Sequence, residues 1–151
     1  MGLTMNRGNA QFQEDMAVDV LARTMWGEAR GQPKGGMEAV ASVVLNRVAV
    51  ARERGGFWWG NDIISVCQKP FQFSCWNAND PNRAKLMAVD ARNMHFATCL
   101  RIARRAVNGV LADHTGFATH YHAKSIMPKW AVGKTPGAVI GDHIFYSMPE
   151  G

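Results

Sequence analysis

A regular apolar stripe over residues 34–50 constrains the fold of this chain more than any other feature. Its apolar side chains recur at helical spacing, at Met37, Val40, Ala41, Val44 and Val48. Residues at this spacing share one face of an α-helix, so the segment is predicted to be an amphipathic helix that packs against other elements. The preceding Gly31, Gln32 and Pro33 are expected to end an earlier helix.

The rest of the sequence predicts further helices first and strands last. Helices are predicted over residues 14–30 and 63–68, and a longer one runs from a start at Asn79, Asp80 and Pro81 to Val107. Residues 117–123 and 138–147 are predicted to form two strands. We therefore expect an α+β fold, mainly helical, with a small C-terminal antiparallel sheet.

The length and composition indicate one domain. The 151 residues suit a single core, which we place at residues 14–151 after a flexible N-terminal segment at 1–13. No apolar run approaches the roughly 20 residues that cross a bilayer, so no integral membrane association is expected. The net charge of +5 suits a polyanionic partner. Without a recognised nucleic-acid motif we expect no nucleic acid, and we expect a monomer.

The three cysteines leave two alternatives open. Cys67 and Cys75 are able to pair in an oxidising compartment. Alternatively all three are reduced thiols, with Cys99 in the core, because free cysteine is often buried.

Glu28 is the candidate catalytic residue. It lies seven residues after Leu21, on the apolar face of the first predicted helix and in its last turn. Burial and the negative end of the helix dipole both raise a carboxyl pKa. A carboxylic acid kept protonated near neutral pH is able to protonate a leaving oxygen. The structural alternative is that Glu28 reaches solvent or pairs with Arg30 or Arg47.

A zinc site is the rival hypothesis. His120 and His122 alternate along a predicted strand and so share a face, and His143 on the other strand is a third candidate ligand. Three histidines are a known catalytic zinc arrangement, which would indicate a zinc-dependent amidase or peptidase. If Tyr121 lines a cleft, His120 and His122 face away from it.

Three blocks of sequence carry a family resemblance, at 26–31 with 36–48, at 72–76, and at 118–122 with 128–130 and 140–146. Their letters are WGEARG with GMEAVASVVLNRV, QFSCW, and ATHYH with PKW and IGDHIFY. Together they resemble the spore-cortex-lytic cell wall hydrolase family of SleB type, which includes phage endolysins.

The resemblance implies a lysozyme-like domain that cleaves the β-1,4 bond between N-acetylmuramic acid and N-acetylglucosamine in peptidoglycan. The family's catalytic glutamate falls on Glu28, and no cofactor is implied. Lytic transglycosylase and muramidase chemistry both remain open, and we favour a single-acid transglycosylase. The candidates for a second carboxylate are Asp62, Asp80 and Asp142, which the sequence leaves undecided.

Peptidoglycan sugars present amides, hydroxyls and apolar ring faces. Side chains that match these groups are Gln72, Ser74, Trp76 and Tyr121, which we predict to bind substrate. Phe71 and Phe73 are expected to pack in the core, and the positions of Trp58 and Trp59 are left open. Since residues 1–13 lack the apolar segment of a signal peptide, we expect synthesis in a host cytoplasm and action on the wall after release, as for a phage endolysin.

Overall fold

The computed structural model describes residues 7–29 and 31–151. The first helix, α1 (Arg7–Ala29), begins seven residues before the predicted start at Glu14. Residues 7–13 are exposed, but they contain no proline, so the helix continues through them. Residues 1–6 of the predicted flexible segment lie outside the described residues. Arg30, between the first two helices, also lies outside them.

The apolar stripe forms α2 (Lys34–Glu53), as predicted, and its apolar residues are buried. The turn between α1 and α2 contains Gly31 at a φ of 89°, which a residue with a side chain rarely adopts. Both helices pack around a core that also contains the fully buried rings of Trp59, Phe73 and Phe96.

The prediction of one long helix over residues 81–107 is wrong, because the structure divides this segment into two helices. After α3 (Ile63–Gln68) come α4 (Arg83–Ala88) and α5 (Met94–Val107). Between them the Asp90 carboxylate accepts the Arg92 backbone N–H at 3.0 Å. The Asn93 side chain then caps α5 by accepting the Phe96 N–H. These side-chain bonds replace helical ones and end α4.

The C-terminal region contains three strands where two were predicted. These are β1 (His120–Ala123), β2 (Ala138–Ile140) and β3 (His143–Tyr146), in the antiparallel order β1-β3-β2. The predicted second strand is a hairpin that turns at Gly141, where φ is 56°. The α+β, mainly helical architecture is confirmed.

The sheet is attached to the helices by a small apolar cluster. Phe145 of β3 packs with Ala118 and with Ala39 and Val43 of α2, and all four are buried. The Gln32 amide also donates to the Asp142 carboxylate at 2.9 Å, which ties the hairpin turn to the α1–α2 turn. These contacts place β1 beside the C-terminal end of α1. No described helix has the length and apolar character needed to cross a membrane.

Candidate active site

Glu28 lies in the last turn of α1, half-buried and facing β1. The Tyr121 hydroxyl donates to Glu28 Oε1 at 2.9 Å. Burial raises the pKa of Glu28, and the charge of Asp80 acts in the same direction. Hydrogen bonds from Tyr121 and Cys75 act in the opposite direction but do not cancel the effect of burial. Glu28 is therefore biased towards its protonated form.

Two cavities meet at Glu28. One has a volume of about 230 Å³ and the other about 270 Å³, and both have Glu28 in their walls. Glu28 is thus accessible from two adjacent cavities.

The first cavity lies between α1, the loop before α4, and α4 itself. Its polar wall consists of Glu28, Ser74, Asp80 and Asn82. Asp80 accepts the Asn82 backbone N–H at 2.8 Å, which fixes its carboxylate at the start of α4. Of the three candidate second carboxylates, Asp80 is the one that shares a cavity with Glu28.

The other two candidates line neither cavity. Asp62 caps α3 by accepting the Ser65 N–H at 2.8 Å, which is the structural role that its sequence context also allowed. Asp142 lies exposed on the hairpin turn and is bonded to Gln32.

The second cavity contains a buried arginine. Arg47 of α2 donates to the Thr119 carbonyl at 2.8 Å and to Gln72 Oε1 at 3.4 Å. Its guanidinium also lies over the rings of Trp59 and Phe73, at 5.4 and 5.2 Å. These bonds hold Arg47 in the cavity wall without an ion pair to Glu28. The other alternative was an ion pair between Glu28 and Arg30, and Arg30 lies outside the described residues.

The predicted substrate residues have different positions. Gln72 lines the second cavity and Ser74 the first. Tyr121 lines the second, but its hydroxyl is bonded to Glu28, and burial with the nearby Glu28 charge raises its pKa. The Trp76 indole donates to Thr24 at 2.8 Å, and its ring lines a neighbouring pocket instead.

The aromatic loop residues separate into buried and exposed members. Phe73 is buried as expected, but the expectation that Phe71 packs in the core is wrong, since its side chain is 85% exposed. The undecided tryptophans also differ, because Trp59 is fully buried and Trp58 is 50% exposed. Phe71 is therefore available to a ligand.

The cysteines are free thiols, and all three are buried. Burial raises the pKa of Cys67 to about 12 and that of Cys99 to about 12. The predicted alternative of a bond between Cys67 and Cys75 is absent from the structure, and Cys99 lies in the core as expected.

The three histidines of the zinc hypothesis are not brought together, so that hypothesis is wrong. His143 contacts the Tyr121 ring at 5.1 Å, on the face of the sheet opposite to His120 and His122. Both ring nitrogens of His122 are hydrogen-bonded, to the Ala123 carbonyl and the Tyr146 hydroxyl. Within the part of the chain described, no three His, Cys, Asp or Glu side chains form a metal-ligand group.

His120 contributes to the second cavity in a different way. The expectation that His120 faces away from a cleft lined by Tyr121 is wrong, since His120 lines the second cavity together with Tyr121 and with Trp130, whose ring lies 5.4 Å away. Burial and the charge of Arg47 lower the pKa of His120 to about 4. The imidazole is thus a neutral polar group in the cavity wall.

Sequence reasoning missed four residues in the walls of the two cavities. They are Arg47, Asn82, Trp130 and, as a site residue, His120. Trp130 lies in one of the blocks that carried the family resemblance, so that signal was present. Asn82 follows a proline in a loop, and nothing in its local pattern distinguishes it.

The fold and the site define a class of protein: a mainly helical α+β domain with a partly buried glutamate of raised pKa between two cavities. The chain belongs to the cell wall hydrolase family, whose model matches residues 31–146. Glu28 lies just before that range, so the match does not include it.

Two curated relatives of the chain are both described as spore cortex-lytic enzymes. The spore cortex-lytic enzyme of Bacillus cereus is 29% identical over 144 residues, which is 93% of this chain and 47% of the relative. That of Halalkalibacterium halodurans is 30% identical over 134 residues, which is 87% of this chain and 34% of the relative. The chain thus spans less than half the length of these curated relatives.

Two solved structures share the fold. The crystal structure of the catalytic domain of the Bacillus cereus SleB protein aligns with a TM-score of 0.65 at 29% identity, and covers 88% of this chain and 89% of that one. The catalytic domain of the germination-specific lytic transglycosylase SleB from Bacillus anthracis gives the same score and identity, with 85% and 92% covered. The predicted lysozyme-like, SleB-type fold is confirmed.

Proposed function

We propose that this chain degrades peptidoglycan by cleaving the β-1,4 bond between N-acetylmuramic acid and N-acetylglucosamine, with Glu28 as the general acid. The observation that carries the proposal is the position of Glu28 at the junction of two cavities, with its pKa raised by burial. A protonated acid accessible from two adjacent cavities suits cleavage inside a glycan strand. The family and the names of its relatives support the same substrate.

In the proposed reaction the protonated Glu28 gives its proton to the glycosidic oxygen as the bond from that oxygen to the muramic acid C1 breaks. The muramic acid 6-hydroxyl then attacks C1, and the Glu28 carboxylate accepts the hydroxyl proton. The acid is thereby restored, and the product has a 1,6-anhydro end. In the muramidase variant, water replaces the 6-hydroxyl and the product has a reducing end.

We favour the single-acid transglycosylase. Asp80 is the one candidate second carboxylate beside Glu28, and it already accepts a backbone N–H at the start of α4. The description of the Bacillus anthracis protein as a lytic transglycosylase supports the same choice. Mass spectrometry of digested peptidoglycan distinguishes the two, since anhydro-muramic ends support the transglycosylase and reducing muramic ends the muramidase.

The test of the catalytic assignment is Glu28→Gln. The amide has nearly the same shape but no proton to give, so we expect loss of at least about a hundredfold in turnover of purified peptidoglycan. Glu38→Gln, a half-buried glutamate on α2, is the matched control and should retain full activity. Native turnover by the Glu28 variant, or loss of wild-type activity in EDTA, would refute the proposal.

The phage endolysin role is a further proposal, made from the family resemblance. It requires that the protein reach the wall from the cytoplasm after membrane permeabilisation, and act there as a monomer. Expression in a bacterial host with and without a pore-forming protein tests the first point, with lysis expected only when both are present. Lysis that occurs equally without the pore would contradict it.

A further inference from the structure

The exposed Phe71 lies beside the candidate active site in an unfavourable backbone conformation. Its φ is 66°, in the left-handed region that residues other than glycine seldom adopt. The ring is 85% exposed, although an apolar side chain of this size usually gains from burial. Such outliers are frequent in binding and active sites, where a ligand uses the imposed geometry.

Phe71 joins two cavities. It lines the second cavity at Glu28, and it also lines a separate pocket of about 420 Å³, here called the Phe71 pocket. That volume falls within the range of roughly 300–1,000 Å³ that is usual for ligand pockets. The Phe71 pocket and the second cavity at Glu28 therefore lie side by side, with Phe71 in the wall of each.

The walls of the Phe71 pocket carry groups that match an N-acetylated sugar. Two aromatic rings, Phe71 and Trp76, are accompanied by the amide side chains of Gln68, Asn77 and Asn79. The Trp76 ring is held in place because its indole N–H donates to Thr24 at 2.8 Å. Aromatic planes pack on the apolar faces of sugar rings, and amides bond to acetamido groups and hydroxyls.

We infer that the Phe71 pocket is an additional saccharide subsite, in which Phe71 packs on the ring of an N-acetylated sugar of the bound glycan strand. The inference rests on the proposed function, because it is the site at Glu28 that supplies the rest of the strand. Because Phe71 lies in the walls of both the pocket and the cavity at Glu28, the sugar in the pocket belongs to the same strand that Glu28 cleaves.

The experiment measures binding without cleavage. In the Glu28→Gln background, calorimetry is carried out with a trimeric and a hexameric N-acetylglucosamine oligomer, of which the longer is able to extend into the Phe71 pocket. We expect Phe71→Ala to raise the hexamer Kd by roughly tenfold, which corresponds to about 1.4 kcal/mol. The trimer Kd should stay unchanged, and Phe71→Tyr, which keeps the ring, should bind as the parent does.

The chain offers a closely matched control. Phe117 is also a phenylalanine with positive φ, at 60°, and is 72% exposed, but it lines neither cavity at Glu28 nor the Phe71 pocket. Phe117→Ala should leave both Kd values unchanged. Phe71→Gly removes the ring and also removes the backbone strain, because glycine readily adopts a positive φ. Weaker hexamer binding by this variant would therefore come from loss of the ring and not from backbone strain.

Three results would overturn the inference: hexamer binding by Phe71→Ala equal to that of Phe117→Ala, hexamer binding by Phe71→Gly equal to the parent, or no hexamer binding by the parent. These results leave the proposed function standing, provided that Glu28→Gln abolishes cleavage of peptidoglycan by the enzyme with native Phe71. Cleavage by Glu28→Gln at the native rate would refute the proposed function whatever the Kd values are.

Discussion

Glu28 is adjusted by neighbours that have opposite effects on its pKa. Burial raises that pKa most, the Tyr121 hydroxyl lowers it by donating to the carboxylate, and the charge of Asp80 raises it. A general acid acts only while protonated, so the rate falls as the pH rises through the pKa of Glu28. Removal of one neighbour should therefore shift the alkaline limb of the pH–rate profile in the direction in which the pKa of Glu28 changes.

Tyr121→Phe should move that limb to higher pH. The variant loses the 2.9 Å hydrogen bond that favours the carboxylate, so the pKa of Glu28 rises further. The maximal kcat should fall by roughly ten- to a hundredfold, because the bond also orients the acid. Tyr146→Phe is the control: its hydroxyl bonds to His122 on the other face of the sheet. A shift to lower pH, or equal shifts in both variants, would contradict the assignment.

Asp80→Asn should move the limb the other way. Removal of a negative charge that raises the pKa of Glu28 lowers that pKa, so activity is lost at a lower pH than in the wild type. In a single-acid mechanism the maximal rate stays within about tenfold of native. Asp142→Asn, on the exposed hairpin turn, should change neither quantity. Loss of activity by Asp80→Asn at every pH would instead identify Asp80 as a second catalytic carboxylate.

The inward-facing position of Glu28 on α1 was predicted from the sequence, but the positions of its neighbours were not. The helical face of Glu28 and the resemblance both point to the same residue, because each depends on local spacing. Phe71 and Phe73 are separated by one residue in a segment without periodicity, and hydrophobicity alone did not predict which of them is buried. Arg47 was named from the sequence as an alternative ion-pair partner of Glu28. Its hydrogen bond to the Thr119 carbonyl depends on where β1 packs, which local sequence does not predict.

The elements that hold Glu28 come very close at Gly27. A Cβ added there would lie 2.6 Å from Cys75 Cβ and 2.9 Å from Cys75 Sγ, in the short 3-10 turn at Ser74–Trp76. Glycine at this position is what allows α1 to pack against that turn. The same contact brings Cys75 and Ser74 to the wall of the first cavity.

Gly27→Ala should therefore destabilise the protein and reduce its activity. The added methyl group must displace Cys75, and overpacking of this kind typically costs about 1–3 kcal/mol of unfolding free energy. Gly35→Ala is the matched control in α2, where the nearest atom to an added Cβ, Ile140 Cγ2, lies at 3.9 Å. Urea unfolding should show native or slightly higher stability for the control. Equal stability of the two variants would show that the turn adjusts freely.

The division between α4 and α5 shows what periodicity cannot predict. The sequence predicted that the helix continues through residues 89–93, but the chain leaves the helix there because Asp90 and Asn93 bond to backbone N–H groups. Arg23 of α1 also donates to the carbonyls of Leu86 and Val89, at 2.7 and 2.9 Å, and so satisfies the end of α4. Arg23 becomes a partner of α4 only in the tertiary structure, so apolar spacing cannot predict it. The turn of the β2–β3 hairpin, by contrast, is indicated locally by Gly141.

At the scale of the whole molecule, three titratable groups near the junction of the helical core and the sheet have pKa values shifted towards their uncharged forms. Burial raises the pKa of Glu28 and lowers those of His120 and His143. The lowered histidine pKa values oppose folding in acid, since stability is lost as the pH falls from 6.5 through their folded values. The raised pKa of Glu28 has the opposite effect, so burial of Glu28 costs stability at neutral pH.

That cost predicts that Glu28→Gln is more stable than the wild type at neutral pH. With the folded pKa above the ordinary glutamate value of 4.5, the wild type takes up a proton on folding and loses stability as the pH rises from 4.5 through the folded pKa. Each unit of difference contributes about 1.4 kcal/mol, which the amide does not lose because it cannot ionise. Urea unfolding across pH 4–8 should show the advantage of Glu28→Gln growing with pH and levelling off above the folded pKa, with Glu38→Gln parallel to the wild type. An altered hydrogen bond to Tyr121 would shift the variant equally at every pH, so a constant difference would mean that Glu28 is not held protonated by the fold.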